Sequence, residues 1–110
     1  MEIWRDILGF ESKYQVSSWG RIRNAKGQMM KFYKNDKGYL KIELQKNGTG
    51  YKFRVNKLVA QAFIPNPLNL PQVNHKDGNK ENNSFTNLEW ITNRDNQLHA
   101  SRLRKGMIAV

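Results

Sequence analysis

Apolar and polar residues alternate over Tyr39-Leu40-Lys41-Ile42-Glu43-Leu44, the period-two pattern of a half-buried strand. Asn47-Gly48 comes next, then Tyr51 to Val55. Asn-Gly readily takes the left-handed backbone that a tight hairpin turn demands, so these two runs are expected to pair. Upstream, Tyr14–Ser17, Arg21–Arg23 and Met29–Tyr33 read as further short strands. Gly20, Ala25-Lys26-Gly27 and Asn35-Asp36-Lys37-Gly38 separate them as turns. The first half therefore predicts a twisted antiparallel sheet with Lys and Arg on its open face.

The period then changes. Val55, Leu58, Val59, Ala62 and Phe63 fall at i, i+3, i+4, i+7 and i+8, which is one face of an amphipathic helix packed on a core. Pro65 and Pro67 end it. All three prolines lie within residues 65–71, a stiff connector that divides the chain into residues 1–64 and residues 65–110. Beyond it, Gln72–His75 reads as a short strand, Lys76–Asn83 as a loop and Asn87–Ile91 as a returning strand. A helix is expected from Thr92 to about Leu103. Thr92 with Asp95 three positions on forms a variant capping box, with Asp in place of the usual Glu. The basic, then apolar, stretch from Arg102 to Val110 is expected to fray in part. The class is α+β: a small N-terminal antiparallel β-sheet with a helix, followed by a strand–loop–strand–helix unit.

Charge adds the first functional constraint. Nineteen Lys and Arg against nine Asp and Glu leave +10 over 110 residues, a balance that favours a polyanionic partner such as nucleic acid. The excess is uneven. Residues 1–58 hold thirteen basic and five acidic side chains, and residues 59–110 hold six and four. The electrostatic grip thus belongs to the first half. There are no cysteines, which excludes disulfides and Cys-ligated zinc. The start, MEIWRDILGFE, has neither the basic opening nor the apolar run of a signal peptide. No stretch approaches the ~18 apolar residues of a membrane span. A soluble, cytoplasmic protein is expected. Trp19 and Trp90 are expected in the core.

The candidate chemistry lies in the second half. Its two histidines, His75 and His99, stand among Asn74, Asn79, Asn82, Asn83, Asn87, Asn93 and Asn96. Asparagine favours turns and caps, so part of this cluster is expected to be architectural. His75 is distinguished by its setting, at a strand end before a polar loop. Asn96 and His99, three residues apart, share a helical face. A ββα unit can set that face opposite His75, an arrangement suited to one divalent cation with open water positions.

These residues carry a family likeness. The run Val73-Asn74-His75-Lys76-Asp77-Gly78-Asn79-Lys80-Glu81-Asn82-Asn83, then Asn87-Leu88-Glu89-Trp90, then Asn96 and His99, resembles the HNH endonuclease motif. It is most similar to homing and free-standing phage HNH nucleases. Upstream, Trp4-Arg5-Asp6-Ile7, Gly9-Phe10-Glu11, Tyr14-Gln15-Val16-Ser17 and Gly20-Arg21-Ile22 resemble the small module that often precedes such domains. The resemblance implies a ββα-metal fold in the second half and cleavage of double-stranded DNA with a divalent ion, magnesium or manganese. It implies His75 as general base and Asn87 as the central Asn that holds the loop. It implies Asn74 and Asn96 as metal ligands, with His99 a further ligand or phosphate contact. Asp77 is expected chiefly to shape the Asp77-Gly78 turn. Phosphate contacts are expected from Arg21, Arg23, Lys31, Lys34, Lys41, Lys52 and Arg54, and near the cut site from Arg94, Arg102 and Arg104.

The chain departs from the family at Asn74, where Asp or His is common and a neutral amide is a weaker ligand. This keeps open a second reading, a DNA-binding protein on the same fold with weakened chemistry. A third, a basic RNA-binding protein, accounts for the charge but not for the asparagine–histidine cluster. A homodimer is one way in which a chain of this length could cut both strands.

Overall fold

A computed structural model of the chain describes residues 1–95 and Leu98. Strands β1 (Trp4–Asp6), β2 (Tyr14–Ser17) and β3 (Ile22–Asn24) form one antiparallel sheet. Strands β4 (Tyr33–Lys34), β5 (Leu40–Lys46) and β6 (Thr49–Arg54) form another. Helix α1 (Val55–Phe63) follows β6 directly, and β7 (Gln72–His75) pairs with β8 (Leu88–Ile91) as a separate antiparallel hairpin. A single 3-10 turn, Phe85–Asn87, leads into β8. The mixed α+β class holds, but the N-terminal strands divide into two three-stranded sheets rather than one.

The division has a local cause. The Asn24 side-chain oxygen accepts from the backbone N–H of Lys26 (2.9 Å) and of Gln28 (3.0 Å), curling the chain into a closed turn. After it only Arg23 and Met29 make an isolated bridge. Of the stretch expected as a strand from Met29 to Tyr33, only Tyr33 enters a ladder. The β5–β6 hairpin follows the alternation. Ile42 and Leu44 are buried, while Lys41 and Glu43 face outward opposite Arg54 and Lys52. Its turn has Asn47 at φ +52° and Gly48 at φ +77°, the pair of positive values that a two-residue hairpin turn requires.

Helix α1 buries Val55, Leu58, Val59 and Ala60. Together with Ile7, Phe10, Val16, Ile22, Ile42, Leu44, Val73 and Leu88 they make one contiguous core. Each Val, Leu or Ile side chain so buried contributes about 1.5–3 kcal/mol. Side chains from all three sheets meet on this helix, which therefore sets where the β7–β8 hairpin lies against the N-terminal strands. Pro65 follows the C-terminal cap, Ile64, whose carbonyl accepts from the Trp90 indole at 3.0 Å. Trp90 is half-buried against the core. Trp19 is not in the core: it is 56% exposed. It sits in the turn closed by Ser17 and Gly20, which throws its side chain outward. Among the described residues no helix is long and apolar enough to cross a membrane.

Candidate active site

The β7–β8 register pairs Asn74 with Glu89 and His75 with Leu88. His75 ends its strand, and the chain then makes a polar loop that returns through Asn83. Asn and Asp side chains shape this loop by bonding backbone groups two residues on. Asp77 Oδ1 accepts from Asn79 N–H (2.8 Å), and Asn79 Oδ1 accepts from Glu81 N–H (3.0 Å). Asn82 donates to Asp77 Oδ2 at 2.9 Å. Asn87 closes the loop from its far end. Its amide donates to Asp77 Oδ1 and to the Asn82 carbonyl, both at 2.9 Å, and accepts from Asp77 N–H at 3.1 Å. These bonds, that from Asn82 foremost, hold the Asp77 carboxyl below its ordinary range. Both carboxylate oxygens are engaged in shaping the loop.

His75 is 4% exposed, and so is Asn83. Their side chains meet at 2.7 Å between His75 Nε2 and Asn83 Oδ1. With an amide oxygen as partner, Nε2 carries the proton and donates it, which leaves the lone pair on Nδ1. Burial pushes the His75 pKa below its ordinary value, against the hydrogen bond that Nε2 donates to Asn83 and the charge of Asp77, which raise it. The ring is therefore neutral at physiological pH, as a proton acceptor must be.

Asn74 is buried and donates through Nδ2 to Glu89 Oε2 at 3.0 Å. That bond orients the amide and leaves Asn74 Oδ1 beside the Glu89 carboxylate, with no hydrogen-bond partner among the described residues. Two hard oxygens of this kind fit a magnesium- or manganese-like cation that keeps several of its waters. Among the described residues no three His, Cys, Asp or Glu side chains cluster at metal-ligand spacing. Asn96 and His99, the other expected ligands, lie outside the described residues.

The loop is also held from the N-terminal half. Lys80 Nζ donates to the Lys37 carbonyl at 2.7 Å, and Lys34 pairs with Glu81 at 3.2 Å. Tyr39 lies 6.1 Å from the His75 ring, centre to centre, and carries Arg54 at 4.1 Å and Lys80 at 4.6 Å over its face. The expected phosphate contacts differ in availability. Lys31, Lys34, Lys52 and Arg94 are exposed, while Lys41 and Arg54 are half-buried on the outer face of β5–β6. Arg21 is engaged by Glu2, and Arg23 donates to Gln15 at 2.8 Å while stacking over Trp4. Arg102 and Arg104 lie outside the described residues.

Three residues at the site escape sequence reasoning. Asn83 is one of seven asparagines between positions 74 and 96, and nothing local separates it from its loop-forming neighbours. Glu89 is accessible in principle, because any hairpin that pairs His75 with Leu88 also pairs positions 74 and 89. Tyr39 lies in the other half of the chain, and its proximity is purely tertiary.

Comparison with known proteins places these features. Residues 64–98 match the HNH endonuclease family model, and residues 2–54 match the NUMOD4 motif. An uncharacterized HNH endonuclease, L245, of Acanthamoeba polyphaga mimivirus is 47% identical over 98 residues, covering 88% of this chain and 29% of that protein. DNA endonuclease I-HmuI of Bacillus phage SP01 is 44% identical over 94 residues, covering 84% of this chain and 54% of that protein. The solved structure describing DNA binding and cleavage by the HNH homing endonuclease I-HmuI superposes with a TM-score of 0.82 at 40% identity. It covers 98% of this chain and 62% of the other. The chain thus spans about a quarter to about half of the length of these curated relatives. It belongs to the HNH endonuclease family, with a NUMOD4 motif over residues 2–54 ahead of an HNH segment at residues 64–98.

Proposed function

We propose that the chain is a metal-dependent endonuclease that hydrolyses phosphodiester bonds of double-stranded DNA, with His75 as general base. The observation that carries this reading is the state of His75. It is buried, neutral and tied at Nε2 by Asn83, which puts its lone pair on Nδ1. In this scheme Nδ1 accepts a proton from water as the water oxygen attacks phosphorus and the bond to the 3′-oxygen breaks. The products are 5′-phosphate and 3′-hydroxyl ends, the leaving oxygen taking its proton from solvent. A divalent cation, when bound, supplies charge neutralisation at the phosphate and at the leaving oxygen. Asn74 Oδ1 and the Glu89 carboxylate are its candidate holders among the described residues, with Asn96 and His99 the further candidates. Asn87 acts indirectly, by holding the loop that follows His75. Residues 1–64 are proposed to grip the phosphates and residues 65–110 to cut.

Nicking of supercoiled plasmid in magnesium or manganese tests this. His75→Ala is expected to lower the rate by about 10²-fold or more, the usual contribution of a positioned base, with duplex binding retained. Undiminished cleavage by a clean His75→Ala preparation would overturn the assignment. Asn74 favours the second reading, a DNA-binding protein with weakened chemistry, because its neutral oxygen holds a cation less tightly than a carboxylate. Duplex binding without nicking in either metal would support that reading.

A further inference from the structure

The NUMOD4 half touches the histidine site directly. Gly20 is buried at φ +90°, and a Cβ built there would lie 2.9 Å from both the Cβ and the carbonyl oxygen of Asn83. The turn that presents Gly20 is closed on itself. The Ser17 hydroxyl accepts from Trp19 N–H (3.2 Å) and Arg21 N–H (3.0 Å), and Gly20 N–H donates to the Ser17 carbonyl at 3.0 Å. The next carbonyl, of Ser18, accepts from Phe85 N–H at 2.9 Å. One turn therefore abuts Asn83 and bonds the backbone two residues further on. Asn83 in turn holds His75 Nε2 at 2.7 Å. Ser17, Ser18, Asn83 and His75 are all buried, so water does not compete along this path.

We propose that the Ser17–Gly20 turn is a positioning device for His75: it fixes Asn83 and, through Asn83, the orientation and tautomer of the histidine ring. Its effect on cleavage rests on His75 being the base; its effect on the ring does not. Gly20 and Asn83 are positioning residues, and the NUMOD4 motif is then a structural part of the cutting unit as well as a DNA grip. Hydrogen bonds weaken with a few tenths of an ångström of stretch. A side chain at position 20 would impose a displacement of that order on Asn83.

Gly27 provides the control. It also sits in the left-handed region, at φ +79°, but nothing lies within 4 Å of a Cβ placed there. Gly20→Ala and Gly27→Ala thus share backbone strain and differ in the contact with Asn83. The first readout is the long-range ¹H–¹⁵N spectrum of the His75 ring in metal-free protein, assigned by its loss in His75→Ala. The second is single-turnover nicking set against duplex affinity. Gly27→Ala is expected to keep one Nε2–H tautomer and the parent rate. Gly20→Ala should show mixed tautomers and nick about tenfold or more slowly, with affinity within about twofold, because misplacing a base affects the rate more than binding. Ser17→Ala, which loosens the turn without adding volume, should act in the same direction and carries the test if Gly20→Ala does not fold. An unchanged His75 spectrum in whichever of these two variants folds overturns the proposal, as do equal losses in Gly27→Ala. If His75→Ala nicks like the parent, the base assignment alone fails, and the spectra still decide whether the turn sets the ring.

Discussion

His75 is buried as a neutral ring, and that state has a pH signature. Its folded pKa lies below the ordinary 6.5, with burial as the main cause. Below pH 6.5 the unfolded chain therefore binds a proton that the folded chain resists. The stability from this residue is fully present above pH 6.5 and is lost as pH falls through the folded value. Thermal unfolding in metal-free buffer should show a lower midpoint at pH 5 than at pH 7.5, and His75→Gln should remove part of that slope. A midpoint that is flat between these pH values would speak against a buried neutral ring. Nicking should follow the same protonation, rising with pH through the folded pKa and levelling above it. At the neighbouring position, Asn74→Asp would set a carboxylate against Glu89, where the amide now donates at 3.0 Å. Without metal the two anions repel. The variant should be less stable than the parent in chelator and gain more from added manganese. Unfolding midpoints titrated with the ion measure both effects.

At the scale of elements, the loop between β7 and β8 depends on one residue at its exit. Asn87→Ala removes the bonds to Asp77 N–H, Asp77 Oδ1 and the Asn82 carbonyl. Water takes over at the exposed Asp77, so the cost should be about 0.5–1.5 kcal/mol for each bond lost, read as a lower unfolding midpoint. Nicking should fall with it, since His75 and Asn83 stand at the two ends of the same loop. The elements themselves were largely legible from periodicity. Helix α1 and the β7–β8 hairpin lie within a residue or so of their expected limits, because amphipathic spacing and Asn or Pro punctuation are local signals. The Thr92 hydroxyl does accept from Asp95 N–H at 3.1 Å, as a capping residue should. Strand β1 carried no clear period over its three residues, and the split into two sheets follows from an Asn24 turn whose closure depends on side-chain geometry. At the site, residue types and spacing marked His75, but its partner Asn83 could not be told from six other asparagines nearby. The contacts from Gly20 and Tyr39 cross between halves of the chain, where no local pattern reaches.

For the whole molecule, the net charge of +10 matters through where the charges are free. Lys41 and Lys52 stand on one outer face of the β5–β6 hairpin together with Arg54, which already lies over Tyr39. Arg21, by contrast, is held at the other sheet by the Glu2 carboxylate, whose pKa is lowered chiefly by that bond. Duplex binding that neutralises phosphates releases counterions, so log K falls linearly with log salt by about 0.9 per phosphate contacted. If the β5–β6 face lies on the backbone, the Lys41→Gln/Lys52→Gln double variant should reduce that slope by about 1.8. It should also weaken binding to unrelated sequences by similar factors, since phosphate contacts carry no base information. Arg21→Gln should change the slope far less, because its guanidinium is already paired before DNA arrives. Titrations of labelled duplex across a salt series measure both. An unchanged slope in the double variant would move the grip off this face, and a large change in Arg21→Gln would place it on the β1–β2–β3 sheet, with Glu2 displaced by a phosphate.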